Sequence, residues 1–136
     1  MPNCVLIFGQ AYEAAFDKLA EKHSDAIEWK TSVLERRGKA MFLKETYAVP
    51  TLIAKCGREV AHIHDTDKSG HLLLSFADAK EVISKGWGER HRLTGTGVIP
   101  LGYTMLYVPR KTEEIYDLIK IFDAGIEYAK SSGSSM

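Results

Sequence analysis

The stretch EVAHIHDTDKSGHLLL, residues 59–74, constrains the fold of this chain more than any other. Polar and apolar side chains alternate in its first half, which is typical of a β-strand with one buried face. Side chains two positions apart leave a strand on the same face, so His62 and His64 lie together. The opposite face is apolar and predicts the side of the core, with Ala61, Ile63, Leu72 and Leu74 pointing to it.

A turn after this strand brings in a third histidine. Residues 65–70 are polar or turn-forming and predict a hairpin loop. With a tight loop, we expect His71 opposite His64 and Leu73 opposite His62. Three imidazoles would then share one face of the sheet.

The rest of the chain predicts an α+β fold built as one antiparallel sheet with helices on one face. Helical spacing of apolar residues predicts helices at residues 11–22, 76–85 and 112–129. The short apolar run at residues 4–8 is either a strand before the first helix or an extension of it. Strands are predicted at residues 27–33, 40–44, 51–55, 58–64 and 101–108, in addition to the second arm of the histidine hairpin. Residues 86–100 are rich in glycine and charge and predict an irregular segment. Because the strands follow one another instead of alternating with helices, α+β is favoured over a doubly wound sheet.

Length and charge narrow the class of protein. The 136 residues fit a single domain, which we place at residues 1–130, followed by a disordered tail at 131–136. Eighteen basic and 18 acidic residues leave no basic excess for nucleic acid or a membrane surface, so we expect neither partner. Cys4 and Cys56 form neither a disulfide framework nor a zinc-binding pair. With no signal-peptide pattern at the start, we expect a cytoplasmic protein.

The histidine face needs its own cover and its own neighbours. In strand 101–108, Tyr103 and Tyr107 share a face, and we expect that face to look toward the histidines. The cover could come from Trp87 with the glycine-rich segment, from the first helix, or from the second subunit of a homodimer. A concave, partly aromatic site with several imidazoles would result.

Three motifs in this sequence resemble those of a known protein family. The motifs AHIHDTDKSGHLLLSF, GWGERH and YTMLYVPRKTEE are similar to the signature of small luciferase-like domain proteins of fungi and bacteria, over about residues 50–130. Many members of that family accompany secondary-metabolism genes, so the resemblance implies a role there. It also implies a set of positions that the family uses together: His62, His64, His71, Trp87, Glu89, His91, Tyr107 and Arg110.

Two kinds of chemistry suit such a cluster. The first is acid–base catalysis on a small organic substrate without a cofactor, of isomerase, lyase or cyclase type, because neighbouring imidazoles give one neutral base beside one charged acid. We assign catalysis to His62, His64, His71, His91 and Glu89. We assign substrate binding to Trp87, Tyr103, Tyr107 and Arg110.

The second is a divalent metal site, in which His62, His64 and His71 would be the ligands and Glu89 or His91 a fourth. A third hypothesis is a non-catalytic module that binds a small molecule or a protein. Histidines beside a hairpin loop can also be purely structural, Trp87 can be a core residue, and Arg110 can cap loop carbonyls.

Overall fold

A computed structural model of the chain describes residues 2–33, 36, 38–50, 53–54, 57–90 and 102–132, with the backbone alone for residues 2–8. Its three long helices are α1 (Pro2–Lys22), α2 (Phe76–Ser84) and α3 (Thr112–Ser132). Its strands are β1 (Ile27–Thr31), β2 (Lys39–Leu43), β3 (Glu59–Ile63), β4 (Gly70–Leu73), β5 (Gly88–Arg90) and β6 (Tyr103–Leu106). No helix in the described ranges has a stretch long and apolar enough to cross a lipid bilayer.

The strands form one antiparallel sheet in the order β1-β2-β3-β4-β6-β5. Strands β1 to β4 lie side by side in chain order, and β6 then lies between β4 and β5. The α+β class predicted from the sequence is confirmed. The histidine strands β3 and β4 occupy the middle of the sheet, where both edges of each strand are paired.

Helices α1 and α3 pack on the predicted apolar face. A Cβ atom at Gly125 of α3 would lie 2.6 Å from the Leu73 carbonyl oxygen and 2.9 Å from Leu72 Cδ1, so the helix backbone touches β4 directly. Phe122 contacts Gly70 from the same helix and stacks edge-on against Phe16 of α1, with ring centroids 4.9 Å apart. This packing confirms the face that alternation assigned to the core.

Two elements are compared with the sequence prediction: helix α1 in its extent and residues 53–54 in their type. Helix α1 begins at Pro2, so the apolar run at residues 4–8, for which the sequence left a strand or an extension of the helix open, is an extension of the helix. Ile53 and Ala54 form a helical turn and not a strand: both backbone N–H groups donate to the Pro50 carbonyl at 3.1 Å. Residues 51, 52 and 55 of that predicted strand lie outside the described residues.

The glycine-rich segment and the tail also differ in part. Residues 88–90, predicted to be irregular, form the edge strand β5. Helix α3 continues through Ser131 and Ser132, which were predicted to belong to the tail. Residues 133–136 lie outside the described residues.

Candidate functional site

Three imidazoles meet on the sheet face opposite the helices. The ring centroids are 5.2 Å apart for His62 and His64, 5.3 Å for His62 and His71, and 5.5 Å for His64 and His71. The predicted grouping is therefore present. The predicted strand register is wrong by two residues, because His71 pairs with His62 and not with His64. The ladder runs further than expected, with the His64 N–H donating to the Ser69 carbonyl at 2.8 Å.

A bulge brings an acidic residue to the same face. Met41 pairs with Ala61, but the next residue, Phe42, pairs with Glu59, so Val60 is an extra residue in β3. Strict alternation would place Glu59 beside Ala61 in the core. The bulge instead turns Glu59 toward the histidines. Sequence reasoning missed this residue, and its one signal was a carboxylate on the face of β3 that alternation assigned to the core.

Glu59 and His71 form a fully buried pair. His71 Nε2 lies 2.8 Å from Glu59 Oε2, and neither side chain is exposed. The carboxylate also accepts hydrogen bonds from the Ser32 hydroxyl, at 2.8 Å, and from the Val33 N–H, at 2.7 Å. These donors favour the ionised carboxylate, which accepts a hydrogen bond from Nε2–H of His71. In neutral His71, the basic nitrogen is then Nδ1.

Tyr103 supports this pair from β6. Its ring centroid is 5.8 Å from that of His71, and its hydroxyl donates to the backbone carbonyl of Glu59. The expectation that Tyr103 faces the histidines is met. Because its hydroxyl bonds to the backbone of β3, Tyr103 helps to position Glu59.

His62 is held as a neutral ring. Its Nδ1 lies 2.8 Å from the Lys39 carbonyl oxygen, which can only accept, so the proton resides on Nδ1. Burial lowers the pKa of His62, opposed by the Lys39 hydrogen bond and assisted by the charge of His71. Gly38, at φ +74°, packs on the ring, and a Cβ there would lie 3.1 Å from His62 Cε1. The β1–β2 connection thus covers this part of the cluster.

His64 is the most accessible of the three imidazoles. Its side chain is 16% exposed, whereas His71 is fully buried. His64 Nδ1 lies 2.8 Å from Ser69 Oγ, and that hydroxyl donates to Asp67 Oδ1 at 2.7 Å. Because the hydroxyl proton is committed to Asp67, His64 Nδ1–H is the donor to Ser69.

Glu89 lies on the same row as the cluster but at its far end. His62 faces His71, His71 faces Met105, and Met105 faces Glu89 across four strands. With strands about 4.8 Å apart, Glu89 is roughly 10 Å from His71. It contacts the Tyr107 hydroxyl at 3.4 Å. His91, predicted to be catalytic, lies outside the described residues.

Three of the four predicted binding residues line a separate pocket. Trp87, Tyr107 and Arg110 line a cavity of about 270 Å³ together with Gly86, Val108, Glu114 and Leu118, and none of the three histidines lines it. Trp87 also packs against the core, as its structural alternative predicted. The Arg110 guanidinium bonds Glu114 Oε2 at 3.1 Å, while its backbone N–H bonds Oε1 at 2.7 Å. The predicted site therefore divides into a histidine cluster and an aromatic pocket, linked through Tyr107 and Glu89.

Potential metal ligands converge elsewhere. Among the described residues, one set of three has ligand atoms that all lie within 4.8 Å of one another: His23, Asp123 and Glu127. His23 Nε2 bonds Asp123 at 2.6 Å, and the Lys130 ammonium lies 3.5 Å from its Nδ1, so this set is an ion-pair network joining α1 to α3. The ring nitrogens of the histidine cluster do not converge to that degree. A metal bound there stays a prediction.

Sequence comparison identifies the protein family of this chain. The sequence profile described as Luciferase domain matches residues 57–125. The chain belongs to the luciferase domain family. A protein named luciferase from Armillaria mellea is 37% identical over 122 residues, and one from Neonothopanus nambi is 38% identical over 122 residues. Each alignment covers 82% of this chain and 46% of the relative, so the chain spans less than half the length of these proteins. No solved structure matches.

Proposed function

We propose that this protein is a small-molecule enzyme whose histidine cluster performs acid–base catalysis of isomerase, lyase or cyclase type. The observation that carries the proposal is the buried pair of Glu59 and His71 beneath two further imidazoles. A carboxylate that fixes one ring nitrogen orients the other as a base and stabilises the imidazolium formed when that base takes a proton. His71 is accordingly the base in this proposal, and Glu59 positions it.

The reaction class follows from what such a base can do. Removal of a proton next to a carbonyl group gives an enolate, and the same intermediate leads to a double-bond shift, an elimination or a ring closure. His64, the more accessible ring, returns the proton. Trp87, Tyr107 and Arg110 line the neighbouring pocket, which in this proposal binds the part of a planar substrate that lies away from the reacting carbon. A role in secondary metabolism is part of the proposal, and the name of the relatives supports a small organic substrate.

Carbon-acid exchange tests the proposal without knowledge of the natural substrate. A panel of small enolisable carbonyl compounds is incubated with the protein in D₂O, and loss of C–H signal is followed by proton NMR. We expect exchange with the wild type, and a loss of about 10²- to 10⁴-fold in His71→Gln and in Glu59→Gln. The double variant should lose no more than either single one, because the two groups act as a unit.

Stability must be measured in parallel, because Glu59 is buried. The Gln side chain has one acceptor oxygen for several donors, so Glu59→Gln should cost about 1 to 3 kcal/mol in a urea melt. Glu28→Gln, at a partly exposed strand position, is the matched control and should retain both stability and exchange. Full exchange in a folded His71→Gln protein would refute the proposal.

The metal alternative is separated by the same assay. If the imidazoles act alone, metal analysis should find no divalent metal in the purified protein. Dialysis against a chelator should then leave the rate of carbon-acid exchange unchanged. Loss of exchange on chelation, restored by a divalent metal, would favour the metal site instead.

A further inference from the structure

The hairpin loop beside the cluster contains a chain of hydrogen bonds that ends in solvent. His64 Nδ1–H donates to Ser69 Oγ at 2.8 Å, and Ser69 donates to Asp67 Oδ1 through its hydroxyl at 2.7 Å and its backbone N–H at 3.0 Å. Asp67 is two-thirds exposed, at 67%. The hydrogen bonds from Ser69 hold the pKa of Asp67 below its usual range, so it is a carboxylate at neutral pH.

The backbone of the loop fixes this arrangement. The Lys68 N–H donates to the His64 carbonyl at 3.0 Å, and the His64 N–H donates to the Ser69 carbonyl at 2.8 Å. Lys68 adopts a positive φ of 63°, which closes the turn tightly. Its ammonium bonds Glu13 of α1, which ties the loop to the first helix. The ring of His64 therefore lies on a short loop that is fixed by its own backbone hydrogen bonds and by the ion pair of Lys68 with Glu13.

The geometry sets the two ring nitrogens of His64 to different tasks. With Nδ1–H committed to Ser69, neutral His64 has its lone pair on Nε2. Among the described residues, its charged and titratable neighbours include the rings of His62 and His71 from β3 and β4 and the carboxylate of Asp67 from the loop. Asp65, in the same loop, lies against Gly38 beside His62. Of the three imidazoles, His64 is the one placed between the buried pair and water.

We propose that His64 carries protons between buried His71 and solvent, and that Ser69 and Asp67 are positioning residues that hold it in the Nδ1–H tautomer. This inference rests on the proposed function. A proton that His71 has removed from a substrate leaves His71 Nδ1 and forms a bond to His64 Nε2. The resulting imidazolium is stabilised by the Ser69–Asp67 chain. Water then takes the Nε2 proton, and His64 returns to its starting tautomer with Nδ1–H intact.

The positioning claim is tested on the full chain labelled with ¹⁵N. Long-range proton–nitrogen NMR reports which ring nitrogen of each histidine is protonated. We expect His64 as Nδ1–H in the wild type, loss of that preference in Ser69→Ala, and its restoration in Ser69→Thr, which keeps the hydroxyl. Asp67→Asn should weaken the preference for Nδ1–H, because an amide oxygen is a weaker acceptor for the Ser69 hydroxyl than a carboxylate. Asp65→Asn, the matched control, should leave the His64 tautomer unchanged. A wild-type Nε2–H tautomer, or an unchanged tautomer in Ser69→Ala, would overturn the claim.

The transfer claim has two readouts. Exchange broadening of the His71 ring nitrogens, followed in a series of spectra at different pH values, gives the rate at which His71 equilibrates with solvent. We expect that rate to fall on the order of tenfold in Ser69→Ala and further in His64→Ala, as a general acid–base contribution does. An unchanged rate in His64→Ala would refute the transfer.

Carbon-acid exchange provides the second readout and separates the two proposals. His64→Ala should slow deuterium uptake, and added imidazole buffer should restore it, whereas His71→Gln should not respond to imidazole. A wild type without any carbon-acid exchange would defeat the proposed function, while the broadening experiment would still decide the role of His64.

Discussion

Glu59 shows how much the site depends on single side chains. Moving a carboxylate from water into the protein interior costs several kcal/mol unless donors compensate for the lost hydration. Here the Ser32 hydroxyl, the Val33 N–H and the His71 ring supply them. Ser32 and Val33 belong to the connection after β1, so this connection is fastened to the histidine face by the same carboxylate that orients His71. Packing of the loop and orientation of the base are thus one set of contacts.

His62 predicts a pH dependence of stability. Because burial lowers its pKa below the ordinary value of 6.5, the unfolded chain binds a proton at this residue at a higher pH than the folded chain does. The contribution is fully present above about pH 6.5 and is lost as the pH falls through the lower folded pKa. The free energy of unfolding should therefore decrease as the pH falls below the ordinary pKa of 6.5, before the carboxylates with lowered pKa values, Asp67 and Asp123, begin to titrate.

The measurement is a series of urea melts at different pH values on the wild type and His62→Gln. Glutamine does not titrate, and its amide can still donate to the Lys39 carbonyl. We expect a shallower slope in the variant. Identical slopes in the two proteins would show that His62 is not the group responsible.

At the scale of elements, alternation predicted the shared face of His62, His64 and His71 correctly, because a strand has a period of two whatever its partner. The pairing of His71 with His62 was not predictable, since shifting a register by two residues leaves every side chain on its face. The bulge at Val60 arises from pairing with β2, and within β3 the sequence indicates it only by a carboxylate at a position that alternation assigns to the core. Strand β5 has three residues, too short for a periodic signal.

A glycine pair on two helices tests how closely α3 approaches the sheet. Gly125→Ala would place a methyl group 2.6 Å from the Leu73 carbonyl oxygen, and backbone cannot move aside cheaply. We expect this overpacking to cost about 1 to 3 kcal/mol, despite the better helix propensity of alanine. Gly9→Ala in α1 is the matched control, because its methyl would meet the flexible Lys68 side chain at 3.3 Å. It should be neutral or stabilise by up to about 1 kcal/mol.

Those two stabilities are compared by chemical denaturation. Equal effects of both substitutions would mean that helix propensity, and not contact with β4, decides the outcome at Gly125.

For the whole molecule, the arrangement of layers decides where chemistry can occur. Helices α1 and α3 cover one face of the sheet, so the other face is free to hold polar groups that a doubly covered sheet would exclude. Loops supply its cover: Gly38 lies on His62, and Val33 reaches both Glu59 and Gly57. The family resemblance identified residues from both the histidine cluster and the aromatic pocket, but only the chain's path shows that they form two neighbouring regions.

Phe122 joins the layers, which makes it the strongest test of the overall packing. It is fully buried, contacts Phe16 and Tyr12 of α1 with ring centroids 4.9 and 6.4 Å apart, and touches Gly70 of β4. Truncation to alanine removes contacts with a helix and the sheet at once and leaves a cavity between rigid elements. Phe122→Ala should therefore cost about 3 to 5 kcal/mol of unfolding free energy, a large share of the roughly 5 to 15 kcal/mol of a typical domain.

Tyr116→Ala on the exposed side of the same helix, 69% exposed, is the matched control and should change stability by less than about 0.5 kcal/mol. A urea melt in which Phe122→Ala loses less than about 1 kcal/mol would mean that α3 does not pack on α1 and the sheet in this way, since a buried phenylalanine cannot be truncated so cheaply.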